Sequence, residues 1–144
     1  LADDFLTDYA PGVTADLVGA FEKTGNSQLS VMQVDEAYIS QYGAIIPSSD
    51  GHGVIGMVEK PRQDEAPSNL ASIGRYILTS DIFDTLRNLP VGSGGEIQLT
   101  DALNLHARDG LLKAIELKGK RFDCGSVDGF MNASVYEYTK RLEN

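Results

Sequence analysis

Apolar residues recur at helical spacing in four segments of the chain. Residues 14–24 place Leu17, Val18 and Phe21 on one helical face, and Thr14 can cap the start of this helix. The other predicted helices are residues 81–89 with Ser80 or Asp81 as cap, residues 96–108, and a last helix that Ser126 caps and that carries Phe130, Met131, Val135 and Tyr138. These amphipathic segments are expected to pack on a sheet.

Alternating or short continuous apolar stretches predict strands between these helices. They lie at residues 27–34, 44–46, 54–59, 71–78, 112–117 and 121–125. Strands and helices alternate, which is typical of an α/β layered fold, but two or three strands adjoin between residues 44 and 78. We therefore expect an α/β fold with a mixed, mostly parallel sheet and flanking helices.

The negative net charge of the chain limits the kinds of molecule that it can bind. The 144 residues include 12 Lys and Arg against 21 Asp and Glu, a formal net charge of −9, and the one basic cluster is Lys118, Lys120 and Arg121. Such a chain repels nucleic acids and anionic membranes, so we expect neither as a partner. A small phosphorylated ligand can still bind where a divalent cation or one lysine sets the local field.

Cys124 is the single cysteine, so no intrachain disulfide can form and a cytoplasmic location is expected.

Carboxylates at predicted strand ends could hold a divalent metal ion. Asp3 and Asp4 stand where the pattern predicts the end of a buried strand, and Asp123 lies at a predicted strand-to-helix junction. Magnesium takes few protein carboxylates and keeps its other positions for water and phosphate oxygens. Asp3 and Asp123 could complete one magnesium site if their strand ends are neighbours, whereas the alternative is that these acids only cap the elements that follow.

A second group of polar residues follows the strand at residues 54–59. Glu59 and Lys60 are consecutive, so a continuous strand would direct them to opposite faces and they should not pair with each other. Glu59 could accept hydrogens from ligand hydroxyls, and Lys60 could meet a phosphate. Gly43 would let a ligand approach the backbone closely. The alternatives are two solvated charges and an ordinary turn glycine. No catalytic nucleophile is expected, because Cys124 has no histidine base nearby in sequence.

Seven short segments, taken together and in this order, resemble one enzyme family. They are LADD (1–4), YG (42–43), VEKP (58–61), APSNLA (66–71), GRY (74–76), GEIQLTDA (95–102) and KGKRFDCG (118–125). The chain is similar to the C-terminal half of the bacterial UTP–glucose-1-phosphate uridylyltransferases, also called UDP-glucose pyrophosphorylases. The resemblance runs from residue 1 to near the end of the sequence.

The resemblance implies a fold, a reaction and a set of residue roles. The fold would be part of a Rossmann-like nucleotide-diphospho-sugar transferase, and the reaction would convert UTP and glucose 1-phosphate to UDP-glucose and pyrophosphate. Asp3 and Asp123 would hold Mg²⁺, Glu59 would bind glucose hydroxyls, Lys60 would bind the sugar's phosphate, and Gly43 would offer its backbone N–H. No residue of this chain is expected to form a covalent intermediate with the substrate.

The resemblance also implies what this chain does not carry. Residues 1–144 would form the C-terminal, sugar-phosphate-binding part of a nucleotidyltransferase domain, without the N-terminal nucleotide-binding part. We therefore expect the chain to be inactive by itself, and its exposed apolar edges indicate a homo-oligomer.

Two other functions remain open on the sequence. The first is a related nucleotidyltransferase that uses another base or sugar, such as a thymidylyl- or guanylyltransferase. The second is a noncatalytic module that binds a sugar phosphate or mediates oligomerisation.

Overall fold

The computed structural model describes residues 3–49, 53–92 and 95–143. The strands are β1 (Asp4–Thr7), β2 (Ser27–Gln33), β3 (Gly43–Pro47), β4 (Val54–Glu59), β5 (Leu70–Ile77), β6 (Leu112–Glu116) and β7 (Lys120–Asp123). The α-helices are α1 (Val13–Thr24), α2 (Ile82–Asn88), α3 (Leu99–Arg108) and α4 (Val127–Leu142), and short 3₁₀ helices span Glu36–Gln41 and Gln63–Glu65. Part of the predicted turn between β3 and β4, residues 50–52, lies outside the described residues.

Five strands form a mixed sheet in the order β4-β3-β5-β2-β6. The pairs β3–β4, β3–β5 and β2–β5 are antiparallel, and β2–β6 is parallel. The expected mixed α/β fold is confirmed, but the expectation of mostly parallel pairing is wrong for the described strands. For β3 and β4 the reason is connection length, because only residues 48–53 separate them, whereas a parallel neighbour needs a long crossover.

The main core lies between this sheet and the helices α2 and α3. Leu29 and Val31 alternate along β2 toward that core, and Leu103 of α3 packs among them with 1% of its surface exposed. The remaining buried members are Ile45, Val54, Met57, Ile82, Ala102, Ala107 and Leu112. Alternation in the strands and 3.6-residue spacing in the helices thus bring the apolar residues of both to one interface.

A separate two-stranded ribbon, formed by β1 and β7, carries the helix α4. The ribbon is antiparallel and pairs Asp4 with Asp123. Helix α4 is fixed to it by polar contacts, in which Thr7 donates to Glu137 at 2.8 Å and Lys140 bonds Asp8 at 2.6 Å. The hydrogen bond from Lys140 lowers the pKa of the Asp8 carboxyl, so this contact is between charged groups at neutral pH. One edge of the molecule is therefore built by long-range polar pairing.

A helix occurs in each of the four predicted segments, but some details of their ends and surroundings differ from the prediction. The Ser126 hydroxyl accepts from the Gly129 N–H at 3.0 Å, as expected of an N-cap. Helix α1 spans almost the predicted residues, although Gly12 rather than Thr14 stands at its N-cap. Helix α3 begins at Leu99 instead of residue 96, because the backbone at Gln98 is extended. The apolar positions of α4 do not enter a core: Phe130, Met131, Val135 and Tyr138 are 52–65% exposed.

The placement of the first acidic residues also differs from expectation. Asp4 begins β1 and Asp3 precedes it, so neither stands at the carboxyl end of a strand in the described structure. Asp123, in contrast, ends β7 as predicted. Antiparallel pairing of β1 with β7 still brings the start of one strand beside the end of the other. Among the helices in the described ranges, none has the length and apolar character to cross a membrane.

Candidate functional site

A cleft of about 310 Å³ lies where the ribbon meets the ends of β3 and β4. Its walls come from the start of β1, the entry to β3, the end of β4, the middle of β5 and the end of β7. They include all five residues that the sequence singled out as binding or metal-holding: Asp3, Gly43, Glu59, Lys60 and Asp123. Asp3, Lys60 and Asp123 therefore line one cleft, although Asp3 precedes its strand instead of following it.

Gly43 stands directly opposite Glu59 in the β3–β4 ladder. A Cβ at position 43 would lie 2.9 Å from the Met57 sulfur and 3.3 Å from Glu59 Oε2, so a side chain here would push on the wall of the cleft. The Lys60 N–H donates to the Tyr42 carbonyl at 3.0 Å. Because hydrogen-bonded and non-bonded pairs alternate in an antiparallel ladder, the Gly43 N–H points away from β4.

Lys60 has a left-handed backbone conformation, with φ of 44°. This conformation is uncommon for a residue with a side chain, and it breaks the alternation of β4 immediately after Glu59. Glu59 and Lys60 consequently line the same cleft. The rule that consecutive residues face opposite sides of a strand therefore does not extend to Lys60, because β4 ends at Glu59.

The carboxylates of Asp3 and Asp123 flank Gly125. A Cβ built on Gly125 would lie 2.9 Å from Asp3 Oδ2 and 3.1 Å from Asp123 Oδ1, so these oxygens are no farther apart than the sum of the two distances. The Cys124 N–H donates to the Asp3 carbonyl at 2.8 Å, which ties the two segments together. Within the described ranges no three His, Cys, Asp or Glu residues gather as a metal site. The donor set is thus two carboxylates that flank the Cα of Gly125.

Arg121 and Asp4 form a buried ion pair behind these carboxylates. Two guanidinium nitrogens of Arg121 lie 2.5 Å from Asp4 Oδ1, and the two side chains are 9% and 6% exposed. Arg121 also donates to the Tyr42 hydroxyl at 3.0 Å and lies 3.7 Å from Asp123 Oδ2. Sequence reasoning missed this role, because Arg121 was grouped with Lys118 and Lys120 as a basic cluster and Asp4 lies 117 residues away.

The pKa of the Arg121 guanidinium reflects this environment. Burial alone would lower the pKa, but the hydrogen bond from Arg121 to Tyr42 and the charge of Asp4 outweigh burial and raise it. The opposite wall holds Tyr76, whose hydroxyl lies 3.1 Å from Ser72 Oγ. Burial raises the pKa of that phenol, so Tyr76 stays neutral and offers the cleft a polar, uncharged edge.

A second hollow of about 550 Å³ lies between β1 and α4. Asp3 and Asp4 line both this hollow and the cleft, and Phe130 lines its far side. The segment of Asp3 and Asp4 therefore forms a thin wall between the two spaces.

Comparison with known proteins places this chain in a family. The family model described as "Nucleotidyl transferase" matches residues 1–140. This chain belongs to the nucleotidyl transferase family. The match takes in both the ribbon and the mixed sheet, so all the residues of the cleft lie within it.

Members of this family with closely similar sequences share one activity in their names. A UTP–glucose-1-phosphate uridylyltransferase from Pseudomonas aeruginosa is 44% identical over 142 residues, covering 96% of this chain and 51% of that protein. A crystal structure of apo UDP-glucose pyrophosphorylase superimposes with a TM-score of 0.90 at 43% identity, covering 98% of this chain and 53% of the other. A UDP-glucose pyrophosphorylase complexed with UDP-glucose gives 0.89 at 42% identity, with 97% and 55% covered. This chain thus spans about half the length of the relatives that it matches.

We predict that the buried Arg121–Asp4 ion pair stabilises the fold around the cleft. Arg121→Met would leave the Asp4 carboxylate buried without its cation, and it should lower the free energy of unfolding by about 3 kcal/mol or more. The double variant Asp4→Asn/Arg121→Met removes both charges and should recover part of that loss. Urea unfolding of each variant measures both values.

The matched control is Arg62→Met. Arg62 pairs with Asp64 at 3.2 Å, but both side chains are exposed, so the loss should stay within about 1 kcal/mol. Equal losses in the free energy of unfolding for Arg121→Met and Arg62→Met would show that burial does not increase the contribution of the Arg121–Asp4 pair to stability.

Proposed function

We propose that this chain forms the sugar-phosphate side and part of the metal site of a UTP–glucose-1-phosphate uridylyltransferase. The observation that carries the proposal is the convergence of Gly43, Glu59 and Lys60 with the Asp3–Asp123 pair in one cleft. Relatives at 42–44% identity bear that enzyme name, and one similar structure is titled as a complex with UDP-glucose. We assign residues 1–144 to the C-terminal half of such an enzyme.

The sugar phosphate would be held by three groups of different chemistry. The Glu59 carboxylate accepts hydrogens from sugar hydroxyls, and the Lys60 ammonium meets the phosphate charge. Gly43 leaves room at the edge of β3 and directs its N–H away from β4, where a sugar hydroxyl can accept from it. The shared lining supports this assignment, because Lys60 and Glu59 both border the cleft although they are consecutive in sequence.

We propose Mg²⁺ as the cofactor, held by Asp3 and Asp123. Two carboxylates that flank Gly125 suit magnesium, which takes one or two protein carboxylates and completes its octahedron with water and phosphate oxygens. When bound, the ion would neutralise charge on the nucleotide phosphates. Arg121 lies 3.7 Å from Asp123 Oδ2 and would help to orient that carboxylate.

We propose the reaction that the enzyme name of the relatives describes. An oxygen of the sugar's phosphate attacks the α-phosphorus of UTP in line, forming a new P–O bond. The bond between the α-phosphorus and the bridging oxygen to the β-phosphorus breaks, and pyrophosphate leaves with that electron pair. Lys60 and Glu59 would orient the attacking phosphate, so their contribution is positioning and charge compensation. Because this chain spans half the length of its relatives, we propose that it supplies half of the site and does not turn over by itself.

We predict that removing the Lys60 charge weakens the binding of glucose 1-phosphate far more than the binding of glucose. Lys60→Met keeps the aliphatic stem but leaves the ligand's phosphate without its cation in a protein of net charge −9. One charge-assisted hydrogen bond corresponds to about a ten- to hundredfold change in affinity. Titrations of the ¹⁵N-labelled chain with glucose 1-phosphate and with glucose, followed by NMR, measure the two dissociation constants. Glu59→Ala should weaken the binding of both ligands, because both carry the sugar hydroxyls.

The control for net charge is Lys23→Met. Lys23 is exposed in the last turn of α1 and does not line the cleft, yet its loss changes the net charge by the same amount. Equal weakening of glucose and glucose 1-phosphate by Lys60→Met, or equal effects of Lys60→Met and Lys23→Met on glucose 1-phosphate, would remove the phosphate site proposed here.

We predict a weak divalent-metal site between Asp3 and Asp123. Mn²⁺ used as a paramagnetic stand-in should broaden the amide signals of Cys124 and Gly125, and excess Mg²⁺ should reverse the broadening. Asp3→Asn or Asp123→Asn should weaken this effect about tenfold, because each removes one of two charged ligands. Asp109→Asn, an exposed acid that lines neither the cleft nor the hollow, serves as control. Sub-micromolar Mg²⁺ binding without nucleotide, or unchanged broadening in both site variants, would contradict the prediction.

We also propose a cytoplasmic homo-oligomer. Support for self-association comes from α4, where Val127, Phe130, Met131, Val135, Tyr138 and Leu142 are all more than half exposed along one helix. Sedimentation velocity should show a species larger than the 15.5 kDa chain, and Val135→Glu should shift it to monomer. Asn132→Glu adds the same charge at an exposed polar position of α4 and should leave the assembly intact. A monomeric wild-type chain would overturn the proposal.

A further inference from the structure

Two consecutive turns of α3 hold the strand that ends in Glu59. Asn104 Nδ2 donates to the Met57 carbonyl at 2.9 Å, and Asn104 Oδ1 accepts from the Met57 N–H at 2.7 Å. One turn earlier, the Thr100 hydroxyl donates to Glu59 Oε2 at 2.9 Å. Residues four apart lie on one face of a helix, and residues two apart lie on one side of a strand, so the two contacts form a matched pair.

The amide of Asn104 fixes the distance between α3 and β4. Strand β4 is at the edge of the sheet, and Asn104 occupies both outward-facing backbone groups of Met57. Helix α3 is in turn anchored in the core by Ala102 and Leu103, which are 0% and 1% exposed. The Thr100 hydroxyl is therefore presented to Glu59 by a rigid support.

We propose that Thr100 is a positioning residue that orients the Glu59 carboxylate toward sugar hydroxyls; this rests on the function proposed above. An exposed glutamate samples several rotamers, and a ligand that needs one of them must restrict the side chain on binding. The Thr100 hydrogen bond restricts it beforehand. A carboxylate has about four acceptor positions, so Glu59 can bind Thr100 and still accept from a ligand. The hydroxyl thereby raises affinity without touching the ligand.

The test compares glucose 1-phosphate with inorganic phosphate, which carries the charge but no sugar hydroxyls. Thr100→Val removes the donor at nearly constant volume and should weaken glucose 1-phosphate about three- to tenfold, the size of one ordinary hydrogen bond. Inorganic phosphate should bind as before, because it is assigned to Lys60. Thr100→Ser keeps the hydroxyl and should restore the affinity for glucose 1-phosphate. NMR titration of the labelled chain measures each dissociation constant.

A double-mutant cycle isolates the coupling between the two side chains. In the Glu59→Ala background, Thr100→Val should cause no further loss of affinity for glucose 1-phosphate. Thr139→Val removes a hydroxyl from the exposed side of α4, where Thr139 Oγ1 donates to the Val135 carbonyl at 3.0 Å, and should change neither ligand.

The outcomes separate this inference from the proposed function. If the wild-type chain binds glucose 1-phosphate no better than inorganic phosphate, the proposed function fails, and the role of Thr100 fails with it. If the wild-type chain prefers glucose 1-phosphate and Thr100→Val keeps that preference, only the inference is overturned. Equal weakening of both ligands, or failure of Thr100→Ser to restore binding, would assign Thr100 to the general packing of α3 and would equally overturn it.

Discussion

The cleft depends on the buried contact between Arg121 and Asp4. The β1–β7 ribbon forms a two-stranded sheet separate from the five-stranded one, and a two-stranded ribbon has little stability of its own. Arg121 reaches from this ribbon to the Tyr42 hydroxyl beside β3, and Arg75 of β5 donates to the Asp4 carbonyl at 2.7 Å. These polar contacts join the two sheets beside the cleft, so they set the spacing between its Asp3–Asp123 side and its Glu59–Lys60 side.

The acidic residues around the cleft differ in burial and in their partners. Asp4 is 6% exposed and is committed to Arg121, which leaves it unsuited to a dissociable ion. Asp3 is exposed, and the Asp123 side chain keeps nearly half of its surface accessible, so both can approach a cation. Adjacent carboxylates of the same type thus acquire different chemistry from burial and pairing alone.

Much of the architecture could be predicted from the sequence, because periodicity and short motifs are local. The strands at Ser27–Gln33 and Val54–Glu59 and the helix capped by Ser126 follow from patterns of a few residues. The strand directions in the sheet, the Arg121–Asp4 pair and the Thr100–Glu59 bond join distant parts of the chain, and no local pattern encodes them. The exposure of α4 could not be predicted for a related reason: an amphipathic pattern shows that a face is apolar but not what covers it.

The left-handed backbone at position 60 carries a further consequence. A residue with a Cβ pays roughly 1–2 kcal/mol to adopt that conformation, whereas glycine adopts it freely. Glycine would make the end of β4 more stable and would remove the lysine side chain from a position that lines the cleft. The polypeptide therefore keeps a locally unfavourable geometry at the edge of the cleft, and the core between β2 and α3 must be stable enough to sustain it.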